Sequence, residues 1–152
     1  MTLSIDLRIA DPAWSAIEEL DALCARALNA AWTGRQTASV DVLLADDTTL
    51  AGLNADWRGK NGPTDVLSFP AENTPGGFLG DIAIAHGVCL RDAQADGKNP
   101  ADHLCHLLIH GLLHLMGHDH IDDDEANTME ALERAAMNAL GLPDPYRRID
   151  AS

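Results

Sequence analysis

The sequence predicts an α+β fold, with a small, mainly four-stranded mixed sheet packed against about five helices. Three observations carry this expectation. Short runs alternate apolar and polar residues. Longer runs repeat apolar residues at helical spacing. The two kinds of run follow the order strand, helix, strand, helix, two strands, three helices.

Leu3, Ile5, Leu7 and Ile9 alternate, so residues 3–9 read as a half-buried strand. Asp11 and Pro12 are a helix start, a carboxylate cap followed by proline at the first helical position. Trp14, Ile17, Leu20, Cys24, Ala27, Leu28 and Ala31 then recur at helical spacing up to Gly34. Val40, Val42 and Leu44 form a second strand, after which Asp46 and Asp47 cap a short helix towards Trp57. Arg58 to Thr64 is turn chemistry. Val66, Leu67 and Phe69 predict a third strand ended by Pro70, and a loop with Pro75, Gly76 and Gly77 leads to a fourth at Ile82 and Ile84. A helix over Val88 to Ala95 stops at Gly97. Pro100 opens a central helix running to about Met116, ended by Gly117. Asp122 to Asp124 cap a last helix through Leu140, stopped by Gly141 and Pro143.

The 152 residues suit one domain, 1–152, with a tail loosely ordered from about 143. Hydrophobic residues at 46% and charged residues at 22% are those of a soluble globular protein. Neither a signal peptide nor a membrane span is expected, which points to the cytoplasm. Cys24, Cys89 and Cys105 are widely spaced and form no CxxC pair, so they read as buried free thiols.

The segment His110-Gly-Leu-Leu-His114-Leu-Met-Gly117-His118-Asp119-His120 carries the chemistry. His110 and His114 are four apart, which puts both imidazoles on one helix face about 6 Å apart. Gly117 can turn the chain back and return His120 to the open side of the same ion. We therefore expect one zinc per chain at the C-terminal end of the central helix, held by His110, His114 and His120. The spacing is that of H-E-x-x-H-x-x-G-x-x-H peptidases with Gly111 in place of the glutamate base. Three neutral histidines leave a position for water, whose pKa zinc lowers to roughly 7. His118 is the rival third ligand, but it would have to fold back within a single residue. His103 lies about 10 Å along the helix from His110 and is too far. His106 is expected in a packed or hydrogen-bonded structural role, with a place lining the cleft as the other reading, and His86 in a capping or exposed role. Asp119 and Asp81 are candidates to orient ligand imidazoles or act as general base, with plain surface or capping roles equally open.

Four segments resemble the YbeY family of bacterial endoribonucleases: Leu53-Asn54 with Arg58-Gly-Lys, Pro63 to Pro70, Leu79 to Ile82, and His110 to His120. Met129-Glu130 also fits, whereas His118 stands where the family commonly has tyrosine. The resemblance implies a zinc-dependent, single-strand-specific endoribonuclease in ribosomal RNA maturation and ribosome quality control. RNA precursors are then its substrate, and small-subunit ribosomal proteins are further partners. It also implies a catalytic role for Arg58 beside the metal ligand His114. A guanidinium and a metal suit the charge gathered on a phosphodiester transition state.

The net charge of −14 stands against nucleic-acid binding. Clustering of Arg35, Arg58, Lys60, Arg91 and Lys98 at one cleft would reconcile the two, as would assistance from ribosomal proteins. Two other readings stay open: a non-catalytic zinc-containing ribosome assembly factor, and a metallopeptidase, which Gly111 disfavours.

Overall fold

A computed structural model describes residues 3–34, 36–71 and 77–146. Strand β1 (Leu3–Ile9) leads through a short 3-10 turn (Pro12–Ala16) to helix α1 (Leu20–Ala31). Then come β2 (Ala38–Ala45), α2 (Asp47–Arg58), β3 (Val66–Pro70), β4 (Phe78–Ala85), α3 (His86–Ala95), α4 (Pro100–Leu115) and α5 (Asp123–Ala139). The sheet order is β1-β2-β4-β3. β1 and β4 each run parallel to β2, and β3 runs antiparallel to β4 along an outer edge.

The expected elements form, with one change of shape. The apolar period from Trp14 to Ala31 does not make one continuous helix. Asp11 caps the first turn by accepting from the Ala13 N–H, but the chain then extends at Ile17 and turns left-handed at Glu19 (φ 51°). The reason is tertiary. Trp14 is buried, and its indole N–H donates to the Ala45 carbonyl at the end of β2 (2.9 Å). Anchored there, it cannot share an axis with the helix that starts at Leu20.

Alternation along β4 divides the core. Ile82 and Ile84 pack with the buried faces of α1, α4 and α5, whereas Ala83 and Ala85 pack with Leu50 of α2 and Leu67 of β3. Central helix α4 starts where the Asn99 side chain accepts from the Ala101 N–H and Pro100 takes the first helical position. From His103 to Leu115 every residue is buried except His106, His110 and His114. The helix is therefore walled on all sides but one, and that opening is a histidine stripe four residues apart.

The three cysteines are buried and free, and burial pushes the Cys24 and Cys89 thiols to about 12 and Cys105 to about 11. Residues 140–146, which follow α5, make contacts back to the body of the fold. Pro145 is buried and its carbonyl accepts from Lys98 Nζ (2.6 Å), while Arg134 reaches Asp144. Residues 147–152, Arg35 and the loop prolyl-glycyl pair Pro75-Gly76 lie outside the described residues. Among the described residues, no helix is long and apolar enough to cross a membrane.

Candidate metal centre

Two features of the backbone bring the three histidines together. Helix α4 aligns His110 and His114. Gly117 then takes φ 100°, and the His118 N–H bonds back to the Leu113 carbonyl (3.0 Å), closing the helix and reversing the chain. The Asp119 carboxylate accepts from the His120 N–H (2.8 Å) and fixes the returning loop. One ligand nitrogen from each of His110, His114 and His120 lies within 4.8 Å of the others. The His118 side chain is not in that group. Its carbonyl instead accepts from His114 Nδ1 (3.1 Å).

The tautomers follow from these partners. A carbonyl can only accept, so His114 Nδ1 carries the proton. His110 Nδ1 lies 3.4 Å from Glu133 Oε2, and an ionised carboxylate also only accepts. In neutral rings both lone pairs then fall on the Nε2 atoms, which face each other at 3.1 Å. Two lone pairs this close repel unless a cation lies between them. Nitrogens sharing a tetrahedral zinc at ~2.0–2.1 Å sit about 3.3 Å apart, so the spacing fits a common ion. Burial, then His110 and His120, hold the His114 pKa below its usual value and keep the ring neutral and able to ligate.

Glu133 is the site residue that the sequence reading missed. It is 1% exposed on α5, and its carboxylate accepts from His106 Nε2, from His110 Nδ1 and from the Tyr146 hydroxyl (2.7 Å). Burial alone would push the carboxyl up, but these three hydrogen bonds outweigh it and hold the pKa down to about 2. A carboxylate behind a ligand imidazole fixes its tautomer and raises its basicity. The sequence did carry a signal, because Glu133 falls on the apolar stripe of α5 with Met129, Ala136 and Met137.

The two carboxylates named from the sequence part company. Asp119 lines the site but bonds backbone. Asp81 alternates with Ile82 and so projects from the sheet face opposite α4. His106 bonds Glu133, and His103 is buried one turn earlier. His86 starts α3 with its ring edge-on to Trp14 (4.9 Å).

The histidines open into a cleft of about 640 Å³ between the end of α4 and the outer edge of β3. Arg58, the last residue of α2, lines it. Its Nη2 donates to the Ser68 carbonyl, and its guanidinium lies 5.5 Å from the Phe69 ring centroid. Lys60 also lines the cleft, as do Asp65 and Asp119. Of the described members of the wider cationic cluster, only Arg58 and Lys60 line the cleft. Arg91 pairs with Asp47 and Lys98 reaches Pro145, both away from the cleft.

Gly111 faces the sheet and not the metal group. A Cβ there would meet Ile82 Cγ2 at 3.0 Å and Ser68 Oγ at 3.1 Å, and the Ser68 hydroxyl donates to the Gly111 carbonyl. Gly111→Glu is therefore expected to destabilise the fold by a few kcal/mol, from overpacking of about 1–3 kcal/mol plus a buried unpaired charge. Urea unfolding reads this, and an unchanged midpoint would show slack between α4 and the sheet.

Residues 9–141 match the family model described as Endoribonuclease YbeY. The chain belongs to the YbeY endoribonuclease family. It is 46% identical over 156 residues to the Endoribonuclease YbeY of Paracoccus denitrificans, covering 93% of this chain and 89% of that one. It is 47% identical to that of Maricaulis maris, covering 97% and 94%. The fold is that of the solution structure of TM1509 from Thermotoga maritima, with a TM-score of 0.59 at 22% identity over 95% of this chain and 99% of that one. The YbeY match takes in α2, β3, α4 and the loop that follows α4, which together line the cleft.

Proposed function

We propose that the cleft is the catalytic centre of a zinc-dependent endoribonuclease, with one zinc per chain held by His110, His114 and His120. Its substrate is single-stranded RNA in ribosomal RNA precursors, met in the cytoplasm, with small-subunit ribosomal proteins as further partners. The observation that carries this reading is the pair of opposed Nε2 lone pairs in a cleft that also holds Arg58. The family relatives named as endoribonucleases support it.

A zinc ion so held supplies a Lewis acid and lowers the pKa of bound water to roughly 7. The chain's own residues do the rest. His118 and Glu133 fix the His114 and His110 rings from behind. Arg58 is seated by the Ser68 carbonyl and the Phe69 face, and its remaining N–H groups are free to meet charge on a phosphate.

A peptidase would lay its substrate as an added strand along the outer edge of β3. Arg58 occupies the Ser68 carbonyl on that edge, and Pro70 has no N–H to offer. With Gly111 packed against Ile82, this argues against protein cleavage. A structural zinc in an assembly factor would want four protein ligands, whereas the grouped nitrogens are three.

The test is cleavage of a labelled RNA as single strand and as duplex, before and after chelation. The single strand is expected to be cut, the duplex to resist, and activity to return with one equivalent of zinc. Undiminished cleavage by fully chelated protein would overturn the proposal.

A further inference from the structure

We propose that Trp57 is a base-stacking platform for single-stranded RNA crossing the outer edge of β3 into the cleft. The inference rests on the endoribonuclease reading above and adds where the strand is gripped.

Trp57 is 70% exposed, although a tryptophan is normally drawn inward. It sits at the end of α2, beside Arg58 in the chain. Its ring meets Phe69 edge-on, with centroids 6.2 Å apart, and the Arg58 guanidinium lies over the same Phe69 ring. Trp57, Phe69 and Arg58 are thus one continuous group at the cleft's rim. Ser68 faces α4 and Phe69 faces α2, so Arg58 reaches round the edge of β3 while Trp57 stays on the near side. A second exposed apolar residue, Ile121 at 83%, directly follows the ligand His120. The two most exposed large hydrophobic residues among those described therefore each adjoin, in the chain, a residue that lines the cleft.

Charge explains why such a platform is needed. The cleft offers two cations, Arg58 and Lys60, and two carboxylates, Asp65 and Asp119, on a chain of net charge −14. Phosphate contacts alone give such a surface little hold on RNA. Base stacking draws nothing from net charge, and it selects single strands because a paired base keeps its faces against its neighbours.

The test uses zinc-loaded protein and a mixed-sequence single strand of roughly 12 nucleotides with 2′-O-methyl riboses, which resists cleavage. Anisotropy reads binding and tryptophan emission reads stacking. Trp14 is buried and Trp32 half-buried, so Trp57 is the indole that RNA can quench. Wild-type emission should fall in step with anisotropy. Trp57→Ala should bind about tenfold more weakly, and Trp57→Phe within about threefold of wild type but without the quench. On cleavable RNA, Trp57→Ala should raise KM and leave kcat unchanged. The salt slope should be near −1.4, about −0.7 for each of two phosphate contacts.

Binding without quenching, or Trp57→Ala binding as wild type while cleavage proceeds, would overturn the platform and leave the nuclease reading standing. Trp57 would then face a protein partner. Wild type that neither binds nor cuts any single strand would overturn both.

Discussion

Replacing His114 by alanine is expected to abolish zinc binding and RNA cleavage together, whereas replacing Arg58 is expected to separate them. His114 is the middle of the three-histidine group. Its Nε2 faces that of His110, and its other nitrogen is locked to the His118 carbonyl. Without it two ligands remain, and one of them, His120, is on an exposed loop. Zinc content should fall from about one per chain to background, because three protein ligands are the usual minimum for a catalytic site. Arg58 touches none of the ligands. Its partners are Ser68 and Phe69, so Arg58→Ala should keep full zinc content while cleavage drops on the order of a hundredfold or more. Arg58→Lys keeps the charge but loses the planar fork that fits the Ser68 and Phe69 seat, and should fall between the two. Metal analysis and cleavage on the same preparations decide it. Cleavage that survives both alanine substitutions, with contaminating ribonuclease excluded, would mean that this cleft is not the nuclease centre.

The parts of this site that were legible in the sequence are the local ones. Spacing of four on a helix, glycine at its end and a histidine three residues on are set by helix geometry and one left-handed turn, so His110, His114 and His120 could be read before any fold was known. Arg58 and its cleft were reached through the resemblance, not through spacing. What escaped depends on how distant elements dock. The break between Pro12–Ala16 and α1 follows from Trp14 seeking the Ala45 carbonyl, 31 residues away. Of the cations expected at the cleft, Arg91 and Lys98 are drawn away by Asp47 and Pro145. Gly111 read as a missing base. In the fold a Cβ at this position would crowd Ile82 and Ser68, so its small size serves the packing.

Glu133 is the residue on which the remaining large effect is expected. It links α5 to the metal group through His110, to His106 one turn earlier and to Tyr146 beyond the helix. Glu133→Gln keeps the shape and removes the charge, so His110 becomes a weaker base held by a weaker acceptor. Zinc affinity should fall about 10- to 100-fold, the usual cost of losing a carboxylate behind a ligand histidine. Glu133→Ala should also cost about 1–3 kcal/mol of stability, because it leaves two half-buried imidazoles and the Tyr146 hydroxyl without their acceptor. The acid limb offers an independent check. The folded carboxyl titrates at about 2, below its unfolded value, so its contribution is present above about pH 4.5 and is lost as pH falls towards 2. That contribution is on the order of 3 kcal/mol by linkage. Urea unfolding in chelator, wild type against Glu133→Gln, should show the gap between them closing over that window. A gap that stays constant with pH would mean that Glu133 acts through shape alone. Unchanged zinc affinity in Glu133→Gln would mean that His110 is oriented by the helix itself and not by the charge behind it.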